Sequence, residues 1–170
     1  MIENQLEGRF NPLLDDVLRD IQVLKTTKYL YFQESAIVRD NTDVSFLIKQ
    51  IPGLNFQTDT VLLYRGTRDG WLHSDFHNLC DERGPTLTIL KTKKGRICGG
   101  YTKLGWTNPQ SGEYKFDNQA FIFSLDLKAR FPAANSAKSV YHRQASGPSF
   151  GGGALELRFE PMNNKMREGV

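Results

Sequence analysis

The stretch TLTILKTKKGRICGGYT, residues 86–102, decides the fold. Thr86 to Lys91 alternates in polarity and places Leu87 and Ile89 on one face, the period of a half-buried strand. Lys94-Gly95 supplies the turn, because glycine enters the left-handed region without a Cβ clash. Ile97 to Tyr101 then returns as the second arm. The stretch therefore reads as an antiparallel hairpin whose tip carries Lys91, Lys93, Lys94 and Arg96.

Similar short segments surround it. Ala120-Phe121-Ile122-Phe123-Ser124-Leu125 is an almost unbroken apolar run, as expected of a central strand covered on both faces. Val61 to Tyr64, Ser139 to His142 and Ala154 to Phe159 are further strand candidates. Glycine- and proline-containing turns separate them, a pattern that predicts packed antiparallel sheets. The segment before about Ile51 has a different texture. Asn11 and Pro12 suit a helix start, and Leu14, Val17, Ile21, Leu24 and Tyr31 recur at three- and four-residue steps, with Lys28 interrupting. A second helix is expected over roughly Asp43 to Gln50, capped by Thr42 or Asp43 and stopped before Pro52-Gly53. It would bury Phe46, Leu47 and Ile51. The reading is α+β, mostly β: a sandwich of two antiparallel sheets at 42–170 with a few flanking helices and a helical lead at 1–41.

A chain of 170 residues, 39% hydrophobic and 24% charged, can bury one core without staples. Its net charge of +3 is too mild to argue for nucleic acid. The two cysteines, Cys80 and Cys98, form no disulfide framework, which favours a reducing compartment. MIENQLEGRF has no apolar stretch of the signal-peptide kind, and no run approaches the roughly 18 residues of a membrane span. A cytoplasmic protein is expected.

Chemistry, if present, would gather in DGWLHSDFHNLCDERGPTL, residues 69–87. Ser74 reads as an N-cap with Asp75 in the first turn; the helix would run to about Glu82, with Gly84 as its left-handed terminus. Leu72, Phe76, Leu79 and Cys80 then share a face, with His77 at its edge. A zinc site from His73, His77 and Cys80 lacks a second paired motif for its fourth ligand. A Cys80–His77 nucleophile pair would place the thiolate near a helix C-terminus, where the dipole opposes it. The favoured reading assigns these residues to packing. Ser149 to Gly153 lacks the ending of a phosphate-binding loop and reads as a bend where backbone approaches something closely. Arg65 and Arg68 beside Asp69 suggest an ion-pair network or an anion site.

Taken together, the blocks resemble the TLDc domain family. They are Leu63 to Trp71, Asp75-Phe76-His77 to Cys80-Asp81, Gly84 to Leu87, Gly99 to Thr102, Trp106, Tyr114-Lys115, Ala120 to Leu125, Phe131-Pro132 and Gly147 to Gly153. The resemblance implies a β-sandwich that acts by contact, without catalytic residues or a cofactor. It also implies links to oxidation resistance, to the vacuolar-type proton ATPase and, for some members, to phosphoinositide membranes. Leu104-Gly105-Trp106 departs from the family's proline before tryptophan. The resemblance further implies closing strands after the triple-glycine bend, where this sequence soon stops. The expectation is a sheet edge left for another chain or for the N-terminal segment, or a fragment.

The leading expectation is a non-catalytic protein-interaction module within a larger assembly, either a proton ATPase or a cytoskeletal or ciliary scaffold. Leu14, Val17, Ile21, Leu24, Tyr31, Leu155 and Leu157 would form its partner contacts. The rivals are a Cys-His hydrolase or redox enzyme using Cys80, and a binder of anionic lipid surfaces using Arg65, Arg68, Lys91, Lys93, Lys94 and Arg96.

Overall fold

The hairpin is present as read. In the computed structural model, which describes residues 14–19, 21, 32, 34–38, 40–54 and 60–158, β1 (Thr86–Lys91) pairs antiparallel with β2 (Ile97–Thr102). The Thr92 amide donates to the Arg96 carbonyl at 2.8 Å and closes the turn, with Gly95 at φ 79°. β3 is Glu113–Lys115, β4 Phe121–Ser124, β5 Ala129–Pro132, β6 Val140–His142, β7 Ser149–Phe150 and β8 Leu155–Glu156. They form two four-stranded antiparallel sheets, ordered β1-β2-β4-β5 and β3-β6-β7-β8. Helices α1 (Asn41–Gln50), α2 (Gly66–Asp69) and α3 (His73–Cys80) flank them.

β4 shows why its run is apolar throughout. Phe121 and Phe123 face a core built with Val38, Val44 and Leu47, so α1 and the residues before it cover the outer face of the first sheet. Ile122 points the other way, into a second core of Phe76, Trp106, Val140 and Phe150. The strand is sandwiched between a helix and a sheet, and alternation has no solvent face to report. Gly100 on β2 lets the two sheets close, because a Cβ there would lie 2.7 Å from the Phe150 ring of the second sheet. Gly99 is required within the first sheet, where a Cβ would strike the Thr88 carbonyl of β1 and the Phe123 ring of β4.

Several local expectations shift. α1 starts at Asn41 and its cap is Asp40, whose carboxylate accepts from the Asp43 amide at 2.8 Å. The Thr42 hydroxyl, and then that amide, hold the Asp40 carboxyl below its usual pKa. Val61 to Tyr64 pairs in neither sheet; Leu63 and Tyr64 instead pack as extended chain on the second core. β3 and β5 have mostly exposed, polar or proline-containing sequences, because each is an edge strand. The Ser149–Gly153 bend contains three successive left-handed glycines, at φ 63°, 67° and 96°. Gly152 and Gly153 have open space where a Cβ would stand, so backbone conformation, not a close approach, requires them.

Candidate functional site

α3 starts at His73, one residue before the cap expected from sequence, and ends at Cys80. The Leu72 amide donates to Asp75 Oδ2 at 2.9 Å, so Asp75 satisfies an otherwise unpaired donor at the helix start. The left-handed residue after the helix is Glu82, at φ 58°, not Gly84. Gly84 has another reason to be glycine. A Cβ there would sit 2.7 Å from the Gly105 nitrogen. Backbone presses on backbone because the Glu82 amide donates to the Trp106 carbonyl at 2.9 Å.

Phe76 and Cys80 are buried against Trp106, as the helical face predicts; Leu72 is left exposed. His77 is more deeply embedded than an edge position implies, at 6% exposure. Its Nδ1 lies 2.8 Å from Asp81 Oδ1, and its Nε2 lies 3.1 Å from the carbonyl oxygens of Arg143 and Ser146. All three neighbours are hydrogen-bond acceptors, so both ring nitrogens are engaged with the protein. His77 thus ties the helix to the 143–146 loop, 66 to 69 residues away in sequence.

Cys80 is poorly placed for nucleophilic work. Burial, followed by the negative charge of Asp81, pushes its thiol up to about 12. Burial also raises Cys98, on β2. Tyr64 donates its hydroxyl to the Gly70 carbonyl at 2.6 Å, and burial next to Asp75 raises it to about 12. No group of three or more His, Cys, Asp or Glu residues is placed to hold a metal among the described residues.

The six basic candidates divide. Lys91, Lys93, Lys94 and Arg96 are exposed together on the β1–β2 hairpin, where Arg96 faces Asp126 at 3.8 Å. Arg65 and Arg68 sit around α2 and are engaged there. The Arg65 guanidinium donates to the Glu34 carbonyl, and its amide donates to Asp69 Oδ2 at 2.7 Å. Arg68 pairs with Asp69 at 2.6 Å and Glu34 at 3.7 Å.

The apolar candidates divide as well. Residues 14–19 are helical, and Leu14, Val17, Leu18 and Ile21 are exposed. Leu155 and Leu157 are half-buried and pack on the second core. Leu24 and Tyr31 lie outside the described residues.

Sequence reasoning missed two buried polar residues. Asp117 is fully buried after β3, and His142 is 1% exposed on β6. Neither stands in a pattern that separates it from a turn residue or a strand-face residue.

A family model, the TLDc domain, matches residues 32–167. The chain belongs to the TLDc domain family. The motif blocks of this TLDc domain now have physical roles: Gly100 lets the sheets meet, Trp106 fills the second core, and the triple glycine turns β7 into β8. The family match is that of an interaction or oxidation-resistance type of module. No helix among the described residues is long and apolar enough to cross a membrane.

Proposed function

We propose that this TLDc domain is a non-catalytic contact module that holds a place in a larger protein assembly. The observation that carries this reading is the stripe at Leu14, Val17, Leu18 and Ile21, which lie at three- and four-residue steps along one helix face. They are 54%, 48%, 52% and 40% exposed. An apolar helix face that its own domain leaves in water is the usual form of a helix offered to a groove. The conspicuous residues of 69–87 support the same reading, since His77 and Cys80 are engaged in packing and in tying loops.

Family membership supports two kinds of assembly, a vacuolar-type proton ATPase linked to oxidation resistance or a cytoskeletal or ciliary scaffold, reached from the cytoplasmic side. The division into a lead at 1–41 and a sandwich at 42–170 is kept with one adjustment. Val38 is fully buried in the first core, which supports counting the end of the lead with the sandwich. Leu155 and Leu157 enter as partner contacts only through the half-exposed part of their side chains, since the Leu157 amide and carbonyl are already paired with Pro148 and Gly147.

The test is affinity purification of the tagged full chain from its own cells, beside a Val17→Asp, Ile21→Asp variant. The expected result is co-elution of proton-ATPase or scaffold subunits with the parent only, at equal thermal stability. A variant that retains every co-eluting subunit, or a parent that elutes alone, overturns the proposal.

The exposed cations of the β1–β2 hairpin favour a second reading, contact with an anionic lipid surface. Sedimentation with vesicles of increasing phosphatidylserine content tests it. Binding that is indifferent to salt rules it out, because exposed charges are screened within about 10 Å at 0.1 M.

A further inference from the structure

β1 is an outer strand of the first sheet, paired on its inner side in unbroken register with β2. That pairing fixes which backbone groups point outward. The Thr92 amide donates to the Arg96 carbonyl, and on the far side of β2 the Leu125 amide donates to the Ile97 carbonyl. Bonded and non-bonded pairs alternate along an antiparallel ladder. Thr86, Thr88 and Leu90 therefore bond inward to β2. Leu87, Ile89 and Lys91 turn their backbone away from it, each with one donor and one acceptor. Among the described residues, nothing hydrogen-bonds to those groups.

The remaining sheet edges are blunted. β3 spans three residues and β8 two, which leaves little ladder to extend. β5 carries Arg130 and closes on Pro132, which has no amide to offer. Shortness, charge and proline are the usual defences of a sheet edge. β1 has six residues, no proline, no bulge and a single charge, Lys91, at its end. Such an edge is a template for an extended chain, which gains main-chain bonds by lying along it.

Charge selects the chain. A segment laid along β1 passes the hairpin tip at one end, where Lys91, Lys93, Lys94 and Arg96 are exposed. Arg96 faces Asp126 at 3.8 Å, whereas the three lysines have no carboxylate partner among the described residues. Acidic residues at that end of the segment are attracted, and basic ones are repelled. A second copy offers less. Two β1 strands paired antiparallel would set each tip beside the other copy's Glu82 and Arg83, whose charges cancel.

We propose that the open edge of β1 takes up an extended acidic segment of a partner protein as an added strand of the first sheet. The inference deepens the contact-module reading and rests on it, since it gives the form and charge of what is contacted.

The experiment follows amide exchange in the full chain, by ¹⁵N NMR, with the peptide acetyl-Asp-Asp-Val-Thr-Val-Thr-Val-Asp-Asp-amide. Acid at both ends serves either strand direction. The controls are the same peptide with lysine for aspartate, and phosphatidylserine vesicles. In the free chain the Leu87, Ile89 and Lys91 amides should exchange freely, while Thr88 and Leu90 are protected. The acidic peptide is expected to protect the three outward amides saturably, and the lysine peptide to bind at least tenfold more weakly at low salt. Lys91→Pro removes one outward amide and should weaken the acidic peptide at least tenfold. Lys93→Glu, Lys94→Glu, at the exposed tip, should do the same and serves if the proline variant does not fold. Outward amides already protected in the free chain, as by self-pairing of two copies seen in light scattering, would overturn the proposal. So would no protection by the acidic peptide, equal affinity for the two peptides, or equal protection by vesicles. The outcome is separable from that of the contact module. A chain that ignores the peptide yet co-elutes with its assembly loses only the edge proposal, while one that takes the peptide and elutes alone loses the module.

Discussion

Thr102 donates its hydroxyl to Asp117 Oδ2 at 2.7 Å, and both residues are fully buried. The bond joins the end of β2 in the first sheet to the segment leaving β3 in the second. Asp117 also accepts from the Lys103 amide at 2.9 Å and the Gln119 amide at 2.8 Å. Removing the carboxylate strands three donors, each worth about 1–3 kcal/mol when left unpaired in the interior. Lys103 and Gln119 lie nearer to water and recover part of that. Asp117→Ala is therefore expected to lose about 3 kcal/mol in urea unfolding, and Thr102→Val about 1 kcal/mol. A loss below 1 kcal/mol for Asp117→Ala would show that the bond does not hold the sheets together.

His142 predicts an acid limb. Its ring lies beside Trp106, with centroids 4.9 Å apart, and its Nδ1 accepts from the Thr107 amide at 3.1 Å. Burial, helped by the charge of Lys115, depresses its pKa from 6.5 to about 4. Between those values the unfolded chain binds the proton and the folded chain does not. The contribution is therefore fully present above pH 6.5 and is lost as pH falls through 4. The loss by pH 4 is on the order of 3 kcal/mol. Urea midpoints measured from pH 7 to pH 4 should fall more steeply in the parent than in His142→Gln. Parallel slopes would remove His142 as the cause.

Glycine and aromatic positions, more than polar ones, made the architecture legible. Residues 86–102 carry their register openly, because alternation and a left-handed glycine have no other economical reading. The run 120–125 declared a strand covered on both faces before its covers were known. The polar residues were ambiguous for a physical reason. A histidine at a helix edge has the same neighbours in sequence whether it faces water or, as His77 does, meets two carbonyls 66 and 69 residues away. Asp117 looks like a turn former, and its burial depends on Thr102, 15 residues earlier. β3 and β5 were unreadable because edge strands are selected against looking like strands.

The Cys80 thiol separates contact from catalysis. With the thiol near 12, roughly one molecule in ten thousand holds a thiolate at pH 8. A maleimide should label Cys98 first and Cys80 only at the rate of structural opening, while both label at once in urea. Cys80→Ser should leave co-elution with the assembly unchanged. Labelling of native Cys80 as fast as a free peptide thiol would revive the enzyme reading.

Phe121 and Phe123 test the central strand. Both are almost fully buried, with Tyr101 stacked on Phe121 at 5.3 Å between centroids and Arg130 4.3 Å above the same ring. Phe121→Ala and Phe123→Ala should each cost about 3–5 kcal/mol in urea unfolding. Two near-neutral results would mean that α1 does not cover this face.

Gly100 and Gly152 carry opposite reasons for being glycine, and alanine tells them apart. At Gly100 the new methyl meets the Phe150 ring, which is backed by Trp106 at 5.6 Å between centroids and has nowhere to go. The sheets must separate, at a cost of about 3 kcal/mol. At Gly152 there is space, and only the left-handed φ of 67° opposes a side chain, at about 1–2 kcal/mol. Asparagine tolerates that region and should recover part of the loss at 152 but none at 100. Thermal unfolding is expected to rank Gly100→Ala lowest, then Gly152→Ala, then Gly152→Asn. If asparagine rescues Gly100 as well, the contact between β2 and Phe150 is looser than the packing requires.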